Sequence, residues 1–308
     1  MRKKILIATE KPFALNAIDT IKSVIEKSDG FELQLLEKYT DESELSEAIS
    51  NAHGLVVRSD QVTDAMMQAA TELKIIVRAG SGYDNIDVES ATKRDIVVMN
   101  TPGQNANAVA ELTFGLMLSL IRNKYNGTAG TELRGKNIGM HGFGNIGKCM
   151  ATIAKGFNMN IFAFDPFLDE EVMRMHGVQS CASLNELYQM CEFISINIPA
   201  NEATLQSINY ELLSQTMSNA LLINTARKEL INEPDLLRLI EERPEFLYAS
   251  DVAPDCRAEL EKNHPLRTKF TVKKMGAQTK EANINAGVAA VNQVIGFLER
   301  GDEGYRVN

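Results

Sequence analysis

Asn137-Ile-Gly-Met-His-Gly-Phe-Gly-Asn-Ile-Gly147 is the stretch on which the reading of this chain turns. An apolar run enters it, glycines stand at Gly142, Gly144 and Gly147, and a helical pattern leaves it. Glycine spacing alone is a weak signal, but the same spacing between a strand and a helix is a strong one. Gly142 permits a tight turn, Gly144 lets the backbone approach a pyrophosphate, and Gly147 allows helix and strand to pack closely. The helix opening at Asn145 and Ile146 offers unbonded N–H groups and a partial positive charge to phosphates. Eighteen residues past Gly147, at the end of the next apolar run, stands Asp165. Its carboxylate is placed to accept from ribose hydroxyls and would repel a 2′-phosphate. No Lys or Arg follows in Pro166-Phe167-Leu168, so NAD is the expected cofactor rather than NADP. The plain alternative is a glycine-rich turn before a surface Asp; strand, glycines, helix, strand and acid in that order weigh against it.

Working outward, short apolar runs alternate with helical patterns along the whole chain. That alternation predicts α/β architecture with two doubly wound parallel-sheet domains. In the first half, strands are expected at Lys4–Ala8, Glu32–Leu36, Gly54–Val57, Lys74–Val77 and Ile96–Met99, with helices near Leu15–Glu26, Asp41–Ser50, Thr63–Ala70 and Asp87–Lys93. A nearly uniform apolar helix follows from about Asn107 to Arg122, which implies burial on every side, in the core or at a homodimer interface. Beyond Lys136, strands are expected at Asn137–Gly142, Ile161–Asp165, Phe193–Ile198, Ala220–Asn224, Phe246–Asp251 and Phe270–Val272. Six strands are the count of a full dinucleotide-binding sheet. A last helix, Glu281–Leu298, follows this second sheet, and its return to the first domain would make that domain discontinuous.

The chain has 308 residues, 44% hydrophobic and 24% charged, enough for two ordinary cores. Its formal charge of −9 argues against nucleic acid, whose binders concentrate Lys and Arg to displace phosphate counterions. Four cysteines without C-x-x-C spacing are expected to be free thiols in a reducing cytoplasm. The apolar run after Lys4 stops before Glu10, too short for a signal peptide, and no window approaches the ~20 apolar residues of a membrane span. No His, Cys, Asp or Glu cluster has metal-ligand spacing.

Several further stretches carry a resemblance: Val57-Arg58-Ser59, Val77-Arg78-Ala79-Gly80-Ser81-Gly82-Tyr83-Asp84-Asn85-Ile86-Asp87, Asn100-Thr101-Pro102-Gly103-Gln104-Asn105, Glu132-Leu133-Arg134-Gly135-Lys136 and Asn224-Thr225-Ala226-Arg227. With the glycine loop, these make the chain similar over essentially its whole length to the D-2-hydroxyacid dehydrogenase family. Within that family it resembles the short phosphoglycerate dehydrogenases that lack a C-terminal regulatory domain. The resemblance implies a flavodoxin-like substrate domain of residues 1–100 and 281–308, interrupted by a Rossmann NAD domain of residues 101–280. It implies that Pro199, Thr225, Ala226, Asp251 and Gly276 line the cofactor with the glycine loop and Asp165, and that Arg227 holds the substrate carboxylate and polarises its carbonyl. A guanidinium suits that task because its planar fork grips a carboxylate with two bonds and keeps its charge. Backbone amides of Arg78, Ala79, Gly80 and Ser81, together with Asn105, would complete the grip. Arg58, Ser59 and Arg78 would take a substrate phosphate; the alternative is a pair of surface arginines at strand ends, each facing a neighbouring acid.

The family pattern breaks at its acid–base pair. Cys256 stands where the family has a Glu, with Asp255 one residue early, and Lys274 stands where it has a His. One reading keeps the enzyme alive, with Lys274 exchanging the substrate proton. A lysine near its ordinary ~10.4 is a poor base at neutral pH, so positive neighbours must depress it, and a partner Glu would do the opposite. The other reading makes the chain a non-catalytic NAD-binding regulatory protein. On the live reading the reaction expected is NAD-dependent oxidation of 3-phosphoglycerate, and the rival substrate is an unphosphorylated acid such as glycerate or lactate. His264 is expected to face solvent, and His141 to pack rather than react.

Overall fold

Alternate residues of Lys3–Thr9 (β1) point to opposite faces of a sheet, and both faces are covered. The computed structural model describes residues 2–10, 13 and 15–308. The chain divides into two units: Met1–Asn105 with Ala277–Asn308, and Ala106–Gly276.

In the first unit β1 is followed by Leu15–Glu26 (α1), Phe31–Glu37 (β2), Glu42–Ile49 (α2), Gly54–Val57 (β3), Asp64–Ala69 (α3), Ile75–Arg78 (β4), Val88–Lys93 (α4) and Val97–Asn100 (β5). The strands pair in parallel in the order β2-β1-β3-β4-β5, a flavodoxin-like winding whose direction reverses between β1 and β3. Ile5 and Ile7 of β1 meet α1 and the chain's last helix, while Leu6 and Ala8 meet α2 and α3. Helix starts follow local chemistry: Asp41 caps α2 in a capping box with Glu44, and Asp87 caps α4 through the Ser90 N–H. The chain ends against the open edge of β5: Arg306 bridges Met99 antiparallel, Val307 N–H donates to Val98 O at 2.9 Å, and Val98 N–H donates to the Asn308 side chain at 2.9 Å.

The second unit runs Ala106–Ile121 (α5), Asn137–His141 (β6), Asn145–Gly156 (α6), Asn160–Phe164 (β7), Glu170–Met175 (α7), Gln179–Ser180 (β8), Leu184–Met190 (α8), Phe193–Ile196 (β9), Tyr210–Leu213 (α9), Leu221–Asn224 (β10), Glu233–Glu242 (α10), Leu247–Ser250 (β11), Arg257–Asn263 (α11) and Thr268–Phe270 (β12). Its strand order is β12-β11-β10-β9-β6-β7-β8, parallel throughout. This is the Rossmann winding, reversing between β6 and β9. The sheet has seven strands rather than six: β8 is two residues long, too short to leave a period in the sequence. The last strand also lies earlier than expected, at Thr268–Phe270, with Val272 fully exposed beyond it.

Helix α5 is also less uniform than its composition promises. Ten of its residues are buried, but Asn107, Glu111 and Gly115, spaced four apart, form an exposed stripe. Lys280–Arg300 (α12) closes the first unit; the Thr279 hydroxyl caps it through the Ala282 N–H, and Gly301 ends it in the left-handed region at φ 69°. No described helix is long and apolar enough to cross a membrane, and all four cysteines are free.

Candidate active site

The glycine loop sits where the second sheet reverses, at the C-terminal ends of β6 and β9. Gly142 has φ +95°, and a Cβ there would lie 3.0 Å from Asn197 O and from the Ile198 side chain. A Cβ on Gly147 would lie 3.0 Å from the Phe143 ring, so its bare backbone lets α6 close on β6. Gly144 is the opposite case: a Cβ there meets nothing, and the space it leaves is open to a ligand. Gly144 is the N-cap of α6 and offers no side chain, so the first N–H groups of the helix, at Asn145, Ile146 and Gly147, are available to an anion.

Asp165 follows β7 and ties this loop together. One oxygen accepts the Phe143 N–H at 2.9 Å and the other the Phe167 N–H at 3.0 Å, which leaves lone pairs for a ribose. His141 is buried, with Nδ1 3.2 Å from the Tyr188 hydroxyl. Burial pushes its pKa down to about 4 against the pull of Asp165, so it packs as a neutral ring.

Asn224, the buried last residue of β10, shapes the next turn. Its Oδ1 accepts the Ala226 N–H at 3.0 Å and its Nδ2 donates to Arg227 O at 2.9 Å. Thr225 is buried with its hydroxyl 3.4 Å from that of Thr113 on α5. Arg227 is half-buried, and its Nη1 donates to Ala226 O at 3.0 Å. Pro199, exposed after β9, gives its carbonyl to the Thr204 hydroxyl at 2.7 Å.

Asp251, at the end of β11, is 2% exposed and grips the segment that carries Lys274. Oδ1 accepts from the Thr271 hydroxyl and the Met275 N–H, and Oδ2 from the Gly276 N–H, each at 2.8 Å. A Cβ on Gly276 would lie 3.1 Å from that Oδ2, so glycine is what lets the backbone come so near. Lys274 itself is exposed. In the loop between β11 and α11, Glu233 takes the N–H groups of Asp255 and Cys256 at 2.9 and 2.8 Å, and Asp255 pairs with Lys228 at 2.7 Å. Burial and Glu233 push the Cys256 thiol up to about 12, so at the position of the family's Glu stands a neutral group.

In the first unit, Arg58 and Arg78 lie at adjacent strand ends beside the reversal between β1 and β3. Arg78 Nε donates to Arg58 O at 2.9 Å, and the Arg58 guanidinium stands 5.0 Å from the centre of the Phe13 ring. Burial lowers the Arg58 pKa and neighbouring Asp60 opposes the shift. Gly80 has φ +148°, and a Cβ there would fall 1.6 Å from Arg78 Nη1. The Ala79 N–H donates to Val57 O and the Gly80 N–H to Arg78 O, so of the backbone amides expected to face substrate these two are already bonded. Ser59 and Ser81 are exposed, with Ser81 O accepting from Asn100 Nδ2 at 2.6 Å, and Asn105 is the half-buried last residue before α5.

Two residues differ from expectation or escaped it. His264 does not face solvent: it is buried, with Nε2 2.8 Å from Glu241 and Nδ1 2.5 Å from Arg267, because its loop folds back on α10. Asp60 carries three bonds at the end of β3, yet nothing in the sequence around it marks it out. No group of His, Cys, Asp and Glu among the described residues could hold a metal ion.

Comparison with known proteins adds three findings. Residues 118–273 match the family model for the D-isomer specific 2-hydroxyacid dehydrogenase, NAD binding domain. D-3-phosphoglycerate dehydrogenase of Methanocaldococcus jannaschii is 38% identical over 268 residues, 82% of this chain and 51% of that one; hydroxypyruvate reductase of Thermotoga maritima is 34% identical over 287 residues, 88% of this chain and 92% of that one. The chain thus spans about half the length of the phosphoglycerate dehydrogenase. The crystal structure of NAD+-bound 3-phosphoglycerate dehydrogenase from Entamoeba histolytica superposes with a TM-score of 0.90 at 40% identity, covering 100% of this chain and 99% of that one.

Proposed function

The chain belongs to the D-isomer specific 2-hydroxyacid dehydrogenase family, and from that premise we propose that it oxidises 3-phosphoglycerate to 3-phosphohydroxypyruvate with NAD, a reaction that leads into serine synthesis. The observation that carries the substrate is the pair Arg58 and Arg78, held at neighbouring strand ends by a 2.9 Å bond in a chain of net charge −9. Arginines at the C-terminal ends of parallel strands, beside a topological reversal, suit a substrate anion.

The glycine loop, Asp165 and the start of α6 fit NAD, since they offer an open backbone, free N–H groups and a carboxylate for the ribose. When bound, NAD supplies acceptance of a hydride from the hydroxyl-bearing carbon. The protein supplies the rest. Arg227 orients the substrate by its carboxylate, and its charge stabilises the oxygen of the reacting carbon. Lys274, as a neutral amine, takes the hydroxyl proton, and Asp251 holds the segment that presents it. Arg58, Ser59 and Arg78 hold the phosphate, with Ser81 and Asn105 contributing further polar contacts. In this reading the enzyme works as a cytoplasmic homodimer.

A second reading has one observation in its favour. The hydroxypyruvate reductase of Thermotoga maritima is matched over 92% of its length, which supports an unphosphorylated substrate. NADH absorbance followed with phosphohydroxypyruvate and hydroxypyruvate separates the two. We expect strong preference for the phosphorylated acid, and Arg58→Ala is expected to erase that preference. Equal efficiencies on both acids in the unmutated protein overturn the phosphate assignment, and NADH binding without turnover on any acid leaves the non-catalytic reading standing.

A further inference from the structure

Asp60 is 4% exposed. Its carboxylate takes three donors from three strand ends. Oδ1 accepts the Glu10 N–H, after β1, at 2.7 Å and the Tyr39 hydroxyl, after β2, at 2.8 Å; Oδ2 accepts the Arg58 N–H, after β3, at 3.1 Å. These three strands meet at the sheet's reversal, where this winding binds ligands. The main chain of Asp60 is anchored as well, since its carbonyl accepts Asn85 Nδ2 at 2.6 Å. Arg58 is therefore fixed from both sides: its N–H by Asp60 and its carbonyl by Arg78 Nε. Ser59, between Arg58 and Asp60, is left exposed at the tip of this turn.

We propose that Asp60 is a positioning residue that sets preference for a phosphorylated substrate, by locking the Arg58–Ser59 turn through the Arg58 N–H. The proposal rests on the substrate reading given above. The two oxygens divide the work: Oδ1 ties β1 and β2 together, and Oδ2 takes the N–H of the arginine turn. An asparagine in this place keeps an acceptor for Glu10 and Tyr39 but turns an NH2 group toward the Arg58 N–H, two donors facing each other. Asp60→Asn thus breaks the lock and spares the strand ties, whereas Tyr39→Phe weakens the ties and spares the lock.

The test compares kcat/KM for phosphohydroxypyruvate and hydroxypyruvate in the unmutated protein and these variants, with NADH binding and melting temperature measured alongside. In Asp60→Asn the ratio is expected to fall about tenfold or more, the scale of one hydrogen bond to a charged group. The loss should lie in KM for the phosphorylated acid, with NADH affinity unmoved. Tyr39→Phe is expected to lower the melting temperature and keep the ratio; a purely structural Asp60 predicts that both variants lose stability with the ratio intact. A folded Asp60→Asn with the unmutated ratio overturns the proposal. Should Asp60→Asn not fold, Asp60→Ser retains a hydroxyl that can accept the Arg58 N–H, and a ratio no better than that of Asp60→Ala overturns it equally. An unmutated protein that shows no preference overturns the substrate reading itself, a result distinct from preference that survives loss of the lock.

Discussion

Asp251→Asn is the substitution whose consequence the structure specifies most fully. Three donors converge on one carboxylate that is 2% exposed, all of them from residues 271–276. An amide has one oxygen, so one side of the new side chain must point an N–H at an N–H, against Gly276 in one flip and against Met275 in the other, where the Thr271 hydroxyl can turn to accept. Loss of a hydrogen bond to a charged group costs about 1.5–3 kcal/mol, and the buried donor left stranded adds about 1–3 kcal/mol. If the segment stays in place, about 2.5 kcal/mol at the lower end should lower the melting temperature by roughly 5–10 °C for a unit of this size. If it lets go, the stability loss is smaller, but the Met275 and Gly276 amides lose protection from hydrogen exchange and Lys274 loses its mount. Circular dichroism reads the first outcome, exchange mass spectrometry the second, and turnover should fall in both. An unmoved melting temperature together with protected amides would refute the account of Asp251 as a clamp.

Lys274→Ala should fold and bind NADH while turnover falls by ~100- to 10,000-fold, the usual worth of a general acid or base; unchanged turnover reassigns the proton. Gly80→Ala forces an L-residue into φ +148° and drives the Arg78 guanidinium from its place, at about 1–3 kcal/mol of strain. It should lower the melting temperature and weaken the phosphorylated substrate selectively, and a ratio of efficiencies left intact contradicts the Arg78 assignment. His141, held down to about 4 in the fold, should make the protein less stable as pH falls. Its unfolded form protonates near 6.5 while the folded form stays neutral, so the loss grows from about pH 6.5 toward 4 and reaches at most about 3 kcal/mol. Urea melts of His141→Gln beside the unmutated protein check this, and parallel pH dependences argue against it.

The two parallel sheets were legible because their signals are local. Three glycines at fixed spacing, an acid at the next strand's end and β-strands with both faces apolar all fall within short windows. What escaped depends on partners far away in the chain. Asp60 takes its donors from Glu10 and Tyr39, 50 and 21 residues distant, and Asp251, singled out in the sequence as a cofactor-lining residue, owes its clamping contacts to a segment 20 to 25 residues on. Gln179–Ser180 is too short for alternation to register. At the last strand, Phe270 and Val272 read as an apolar alternation, but the buried pair is Thr268 and Phe270, with a threonine doing the work of an apolar residue. In α5 the small Gly115 continues the stripe begun by Asn107 and Glu111, and a glycine leaves little mark in a hydrophobic pattern. Arg58 and Arg78 stood out because apolar strand residues precede them; that Arg78 braces Arg58 is a fact of tertiary structure.

The antiparallel pairing of residues 306–308 along β5 has a bearing on handling the protein. A parallel sheet wound as β2-β1-β3-β4-β5 leaves β5 with a row of unused donors and acceptors, which in isolation is a template for strands of other molecules. The chain's own last residues blunt that template. Whatever pulls them away, whether a truncation before Arg306 or a rigid fusion that cannot accommodate the turn, converts a self-sealed border into a sticky one, and self-association should then appear before any loss of cofactor binding.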